Sequence, residues 1–388
     1  MPNTASATSA PPPSQHDAIR ALLRAGRNDE AIVRLCAIGI VRPDDAEARE
    51  LLFDAFFQKR DWAPALVIAE QLAQAQPDNA RLQKALIATL SNMKRYEEAI
   101  PKALNYIERH GEDLTMLDAL KVAHFYTGKV ETAVRYGQRA LDLRDQEACA
   151  LPRSVSMTEP AGPPSGRDVI SFSLWGPTPF YSYGAMINLL LARDIYPGWN
   201  CRFYVDAAVP PACTAFLRDN GADVRNIEDE YPGVGLFQRF LVMNDATVGR
   251  FLVRDCDARL SAAEADLVAQ WIDSGLPFHV VRDHVLHNEL MIGCTWAGRT
   301  DCGIDIAGLM RRYFTHGPNA KYGHDQRMLG LLLWPLIRDR CLVHDKHYRL
   351  PGVETVPLRD PNSHFGAGHQ NIDAVLKEVD RMGIPRLP

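Results

Sequence analysis

The segment 168–206 reads DVISFSLWGPTPFYSYGAMINLLLARDIYPGWNCRFYVD. Its first nine residues form a short, mostly apolar run that is typical of a buried strand. A helical stretch follows and ends at Pro197-Gly198, before a second strand at 201–206. The next helix, PPACTAFLRDNG, leads to a third strand at 222–227. Strands that alternate with helices at this spacing predict a mostly parallel sheet covered on both faces.

Two carboxylates end the next predicted strand, RFLVRDCD (250–257). The pair Asp255-x-Asp257 is on its own more typical of a turn or a helix cap. Here it follows a strand that should be central, and Ser261 and Glu264 have the spacing of a capping box that begins a helix. Ligands of such sheets bind beyond the carboxyl ends of the strands. The pair therefore predicts a site for Mg²⁺ or Mn²⁺ with open positions for substrate phosphates.

With these elements in place, residues 168–370 resemble the GT-A fold of nucleotide-sugar-dependent glycosyltransferases. The segments 171–206 and 254–284 are similar to a group of bacterial and viral transferases of that fold. The resemblance implies a Rossmann-like, mostly parallel sheet. It also implies a metal-dependent, hexosyltransferase-type reaction that moves a sugar from a nucleoside-diphosphate sugar to an acceptor hydroxyl.

The resemblance assigns metal and phosphate contacts at both ends of this domain. Asp255 and Asp257 match the family's metal-binding pair, and the first also matches a nucleotide contact. In the glycogenin-like branch a third ligand is the His of His-Phe/Tyr-x-Gly-x-Lys, which His364 matches within SHFGAGH (363–369). A histidine in such a loop is otherwise solvent-facing. The diphosphate would contact Gly366, Gly368 and His369, although Ala367 replaces the branch's Gly and His369 its Lys.

Three further nucleotide contacts are implied, at Ser173, Tyr183 and Arg239. Arg239 lies in LFQRFLVMND, shortly before the Asp-x-Asp strand, where a basic residue of this fold often reaches the diphosphate. A guanidinium suits that role because it binds phosphate in a bidentate manner. A surface arginine without such a role is the alternative.

Candidate catalytic residues are Asp325, Gln326 and Asp283. The first two lie in YGHDQ (322–326), and the resemblance places such an Asp-Gln pair on the sugar and acceptor side. Asp325 would act as a base or stabilise an oxocarbenium-like transition state, and it could instead be the N-cap of the following helix. Asp283 would bind donor-sugar hydroxyls. A metal site built from His279, His284 and His287 is disfavoured, and retention or inversion of configuration stays open.

Upstream, a 34-residue period organises the chain. Ala31, Ala65, Ala99 and Ala133 recur within helical patterns, and a second small-residue register follows at 55, 89 and 123. Small residues at one register are expected where two helices of a hairpin approach closely. The segment 17–147 therefore resembles tetratricopeptide-type repeats, a helical solenoid with a concave binding surface. That surface would hold a protein or peptide acceptor or partner, or mediate self-association, and a glycan acceptor is the alternative.

The remaining segments complete a plan of an α-solenoid joined to an α/β domain. Residues 1–16 predict a disordered tail, 148–167 a Pro/Gly-rich linker, and 168–388 the transferase domain. The 388 residues carry 43 Lys+Arg and 48 Asp+Glu, so no basic excess indicates nucleic acid, and no run is long enough for a membrane span. Eight cysteines without a C-x-x-C pair favour free thiols and a cytoplasmic location.

Two other functions are compatible with these patterns. One is a non-catalytic repeat scaffold or adaptor fused to a degenerate transferase domain. The other is a nucleotidyltransferase, although no Gly-rich basic loop follows the first strand.

Overall fold

The structure, a computed structural model, describes residues 14–153, 155–227, 235–316, 323–359, 364–365, 368 and 371–387. It divides into two compact units, the first ending at Tyr136 and the second beginning at Gly137. The division falls inside one long helix, Val130–Ala150, which also contains the predicted repeat boundary at residue 147. No helix among the described residues is long and apolar enough to cross a membrane.

The first unit consists of antiparallel helix pairs. Its helices are α1 (Gln15–Arg24), α2 (Asn28–Val41), α3 (Ala46–Gln58), α4 (Trp62–Ala75), α5 (Ala80–Asn92), α6 (Tyr96–His110) and α7 (Leu114–Tyr126), and α8 (Val130–Ala150) continues into the second unit. Ala31, Ala65, Ala99 and Ala133 are all buried, as the close approach of paired helices requires. The prediction of helical hairpins repeating every 34 residues is therefore confirmed.

The same period governs how the helices begin and how the hairpins turn. Asp45, Asn79 and Asp113 cap α3, α5 and α7, each accepting a hydrogen bond from a backbone N–H of the first turn. The tight turns within the hairpins place Arg60, Lys94 and Gly128 at positive φ, at 34-residue intervals. Arg60 and Lys94 adopt this left-handed conformation although it favours glycine. The helices on either side hold the turn in place.

The second unit contains one mixed sheet. Its strands are β1 (Arg167–Leu174), β2 (Asn200–Val205), β3 (Asp223–Asn226), β4 (Val248–Asp255), β5 (Phe278–Arg282), β6 (Trp296–Arg299), β7 (Cys341–Asp345) and β8 (Glu354–Pro357). Their order across the sheet is β3-β2-β1-β4-β6-β5-β7-β8. Only β6, among these eight, is antiparallel to its neighbours.

Helices connect the strands and cover the sheet. They are α9 (Pro179–Ile195), α10 (Pro211–Asp219), α11 (Ala262–Ser274), α12 (Ile306–His316), α13 (His324–Met328), α14 (Trp334–Ile337) and α15 (Ile372–Arg381), with a 3₁₀ segment at Gly235–Asn244. Phe172 of β1 and Phe203 of β2 stack at 4.8 Å within the main core. The strand order reverses between β1 and β4, and such a reversal opens a crevice beyond the carboxyl ends of the two strands.

The predicted linker has no helix or strand in its described residues between 151 and 166. It is nevertheless attached to the second unit. The backbone N–H of Thr158 donates to the carbonyl of Cys302 at 2.8 Å, and Arg299 donates to the carbonyl of Gly162 at 2.6 Å. The segment therefore follows the surface of the sheet domain.

Two buried histidines connect the strands of this domain. The Nε2 of His279 lies 2.7 Å from Nδ1 of His344, whose Nε2 lies 3.2 Å from the side-chain oxygen of Gln270. Burial lowers the pKa of His344 to about 4, and burial together with His344 lowers the pKa of His279 well below its usual value. Both rings are therefore neutral in the folded protein at pH 7.

We expect acid to destabilise the second unit through this pair. Below pH 6.5 the unfolded chain binds protons that the folded chain excludes, so the free energy of unfolding should fall as the pH decreases toward about 4. His344→Gln removes one titrating group and should reduce this slope by up to about 1.4 kcal/mol per pH unit. Chemical denaturation at a series of pH values measures the slope. The exposed His110→Gln serves as the control, and an unchanged slope in His344→Gln would contradict the prediction.

Candidate functional site

The candidate site lies at the carboxyl edge of the sheet, where the strand order reverses. Asp255 is the last residue of β4, and it is in register with Ser173 of β1. The predicted Asp-x-Asp pair therefore does end a central strand of the sheet. Asp257 follows in the loop before α11, and both carboxylates are half-buried.

Arg239 connects two of the predicted acidic residues. Its Nη1 is hydrogen-bonded to Asp255, and its Nη2 donates to Oδ2 of Asp325 at 3.0 Å. Arg239 is 2% exposed and Asp325 is 3% exposed, so this is a buried bridge between carboxylates. The alternative of a surface arginine is excluded, and the two terminal nitrogens that would meet a diphosphate are occupied by protein carboxylates.

The backbone of Arg239 is fixed by two serines of β1. Ser171 donates its hydroxyl hydrogen to the Arg239 carbonyl at 2.7 Å. Ser173, predicted as a nucleotide contact, accepts from the Arg239 N–H at 2.9 Å. Both serines are buried, so their observed role is to hold the 3₁₀ segment against the strand.

Asp325 faces the site from the first turn of α13. The N-cap of this helix is Gly323, whose φ of +81° suits glycine, so the alternative that Asp325 is the cap is wrong. Burial and the nearby charge of Asp255 raise the pKa of Asp325, although Arg239 opposes them. Gln326 follows it on α13 and is half-buried.

Gly293 makes the bridge sterically possible. A Cβ at this position would come 2.2 Å from Oδ2 of Asp325 and 3.0 Å from Nη2 of Arg239. The backbone around residue 293 therefore lies directly against the ion pair. The neighbouring Trp296 is fully buried among core residues.

Asp257 lacks a comparable counter-charge. Burial, followed by the charge of Asp255, raises the pKa of Asp257 to about 6. A Cβ at Gly368 would come 2.3 Å from Oδ2 of Asp257, so the predicted phosphate-binding glycine does lie beside the Asp-x-Asp pair. The other two predicted phosphate contacts, Gly366 and His369, lie outside the described residues.

The loop that carries Asp257 rests on α9 through contacts that sequence reasoning missed. The side chain of Asn188 is buried and donates to the carbonyls of Cys256 and Ala258 at 3.2 and 2.8 Å. Gly184 lies against the same loop, since a Cβ there would come 2.1 Å from the Cys256 carbonyl oxygen. An asparagine within the apolar run MINLLL was the available signal for this contact.

Tyr183, which was predicted to contact the nucleotide, lies in the core of the domain instead. It is 4% exposed, within the core, and its hydroxyl accepts from the backbone N–H of Leu387 at 2.8 Å. The residue therefore joins α9 to the C-terminal segment.

Asp283, predicted to bind sugar hydroxyls, is fully buried and anchors other parts of the site. One carboxylate oxygen lies 2.7 Å from Nδ1 of His287, and the other accepts the backbone N–H of Phe365. Burial alone would raise the pKa of Asp283, but the hydrogen bonds from His287 and Phe365 hold it below its usual value. Both oxygens are thus engaged by the protein.

His364 belongs to a cluster of imidazole rings beside Asp283. Its ring stacks on His284 at a centroid distance of 4.4 Å and lies 5.0 Å from the ring of His287. Burial and the charge of His287 lower the pKa of His364, and burial together with His364 lowers that of His284 to about 4. The rings of His284 and His364 are therefore expected to be neutral at pH 7.

The predicted metal ligands do not by themselves form a complete site. Within the described residues no three His, Cys, Asp or Glu side chains are arranged to hold a metal ion, so Asp255, Asp257 and His364 do not form a preassembled three-ligand site. The two carboxylates alone match the donor set with which Mg²⁺ is usually held by proteins, where substrate phosphates and waters complete the shell. The uncompensated charge at Asp257 also favours a cation.

Neither a known family model nor a curated protein matches the chain. Solved structures of MamA match part of it. MamA from Desulfovibrio magneticus RS-1 is 17% identical with a TM-score of 0.32, over 34% of this chain and 74% of that one. A MamA AMB-1 structure is 21% identical with a TM-score of 0.32, over 35% and 76% of the two chains.

We expect Gly293→Ala to damage the site. The added methyl group must displace Asp325 or the adjacent backbone, which separates a buried ion pair, and disrupting such pairs costs about 3–5 kcal/mol. Gly330→Ala is the matched control, because a Cβ there meets nothing closer than 3.6 Å. Thermal denaturation of both variants tests this, and equal melting temperatures for the two would contradict it.

Proposed function

We propose that the second unit is a metal-dependent glycosyltransferase that uses a nucleoside-diphosphate sugar. The observation that carries the proposal is the cluster of three carboxylates, Asp255, Asp257 and Asp325, at the carboxyl edge of a central strand. The family resemblance assigns the donor and the metal to that edge. A protein or peptide acceptor, delivered by the helical repeats, is part of the same proposal.

Electrostatics support a cationic ligand at this edge. Three carboxylates are matched inside the site by one guanidinium, because Arg259, which also lowers the pKa of Asp257, is itself paired with Glu378 at 3.0 Å. A bound Mg²⁺ or Mn²⁺ would supply the missing positive charge and polarise the leaving diphosphate. Asp257 and the remaining oxygen of Asp255 are the groups that would hold it.

Some of the protein's residues would then orient the site, and Asp325 would take part in the reaction. Arg239 fixes the orientation of Asp255 and keeps Asp325 beside it. Asp325, whose raised pKa reflects burial, would stand nearest the acceptor hydroxyl or the developing positive charge of the sugar. Asp283 would act indirectly, because it fixes the backbone of Phe365, three residues before the Gly368 that lies beside Asp257.

A second candidate is a repeat scaffold whose sheet domain has no catalytic role. It is favoured by the absence of a three-ligand metal group within the described parts of the chain. The occupied nitrogens of Arg239 favour it as well, because no other predicted cation then faces the diphosphate. Metal and donor binding separate the two candidates.

The proposal predicts that the full chain releases a nucleoside diphosphate from at least one nucleotide sugar when Mn²⁺ is present. Asp257→Asn should reduce this release by at least about 100-fold, since one charged ligand is lost. It should also abolish the Mn²⁺-dependent increase in melting temperature. Asp168→Asn, at the opposite end of β1, is the matched control and should retain both.

Two results would be decisive against the transferase. One is the absence of donor binding and turnover across a panel of nucleotide sugars, with Mn²⁺ leaving the melting temperature unchanged, which would favour the scaffold. The other is turnover that Asp257→Asn leaves at the control rate, which would exclude the metal-dependent mechanism.

A further inference from the structure

The second helix of the first hairpin carries apolar side chains on two opposite faces. Ala31, Leu35 and Ile38 are buried within the unit. On the other face Val33, Ile40 and Val41 are 70%, 83% and 77% exposed, and Cys36 and Ala37 between them are also exposed. We call these five residues the α2 stripe.

The α2 stripe has the spacing of a packing surface. Positions 33, 36, 37, 40 and 41 follow the i, i+3, i+4, i+7, i+8 pattern that places side chains along one side of a helix. A contiguous apolar face of this kind is normally covered by another surface. A helix face that stays in contact with water is normally polar. The apolar stripe therefore indicates that another surface packs against it.

Many charged side chains of the same repeats are paired with one another. Successive first helices of the hairpins are joined by ion pairs such as Arg20–Glu47, Arg81–Glu50 and Lys84–Asp113. Exposed, paired charges of this kind contribute little attraction for a partner. The α2 stripe, by contrast, holds the three most exposed large hydrophobic side chains of the described residues, Val33, Ile40 and Val41.

We propose that two copies of this chain associate through their α2 stripes, as an antiparallel pair of helices on a two-fold axis. The stripe is nearly symmetric about its own centre. An axis that passes between Cys36 and Ala37 sets small residues against small residues where the helices cross, and it sets Val33 of each copy against Ile40 of the other. A surface that is complementary to itself is the requirement for a two-fold interface.

The charges beside the stripe permit this pairing. Asp29 is paired with Lys59, and Glu30 is paired with Arg27 and with Arg34, the latter at 2.6 Å. The other end of the helix, which would face these residues in the antiparallel pair, is also paired internally, because Arg42 lies 3.6 Å from Asp45 and Asp44 lies 3.8 Å from Arg49. Neither end therefore presents a set of unpaired like charges to the other copy.

The chain's own N-terminal segment is a poor occupant of the stripe. Residues 1–13 read MPNTASATSAPPP, in which Met1 is the only large apolar residue apart from the prolines. Such a segment offers too little apolar surface to cover two valines and an isoleucine. One helix face from each copy is a small interface, as in weak and transient complexes, so the equilibrium should be examined up to high protein concentration.

Sedimentation equilibrium of the full chain over a concentration series tests the proposal. We expect a monomer–dimer equilibrium whose dissociation constant rises more than about tenfold in Ile40→Glu, since each copy then buries a charge. Ile40 is almost fully exposed, so folding should be unchanged, and circular dichroism verifies this. Val155→Glu, at an exposed valine of the other unit, is the matched control and should dimerise as the wild type does.

A bis-maleimide crosslinker gives an independent measurement. In a Cys149→Ser background, Cys36 is the exposed cysteine that remains, and it should yield covalent dimers that disappear when Ile40→Glu or Cys36→Ser is added. A chain that stays monomeric at every concentration would overturn the proposal. A dimer that Ile40→Glu leaves intact would overturn it as well and would place the interface on another surface.

Discussion

The guanidinium of Arg239, removed from water and held between Asp255 and Asp325, is the interaction on which the candidate site depends. A buried charge is tolerated only when opposite charges compensate it. Removing either carboxylate from the guanidinium would therefore lower the stability of the fold substantially. The three residues come from separate segments: the 3₁₀ segment before β4, the end of β4, and the first turn of α13. Arg239 and Asp255 precede β6 in the chain and Asp325 follows it. The acidic edge is therefore complete only when segments from both parts of the chain have packed together.

The space for this bridge comes from residues that offer little or no side chain. Gly293 admits the ion pair from one side, and Gly184 lets α9 approach the loop between the two aspartates. Asn188 then supplies hydrogen bonds to loop carbonyls that would otherwise be unpaired in the interior. The sheet places the crevice where its strand order reverses, and these small or polar residues determine how closely the walls meet there.

The sequence predicted what depends on local pattern and period. The 34-residue spacing of Ala31, Ala65, Ala99 and Ala133 revealed the helical hairpins, and the apolar run before Asp255 revealed the strand and its end. Contacts between distant segments were not readable in the same way. Ser173 and Tyr183 were assigned to a nucleotide, whereas they bind the backbones of Arg239 and Leu387, 66 and 204 residues away. A single residue's type does not specify such a partner, because the partner is fixed only by the packed fold.

Asp257 and Asp283 show how burial alone fails to distinguish a ligand-binding carboxylate from a structural one. Desolvation is the largest influence on the pKa of each, yet the pKa of Asp257 is raised to about 6 and that of Asp283 is lowered. The difference lies in their partners, since Asp283 receives hydrogen bonds at both oxygens whereas Asp257 stands beside a second carboxylate. A carboxylate that is satisfied by the protein gains little from a cation. One that is left with like charge gains much, and for this reason the proposed mechanism assigns the metal to Asp257 rather than to Asp283.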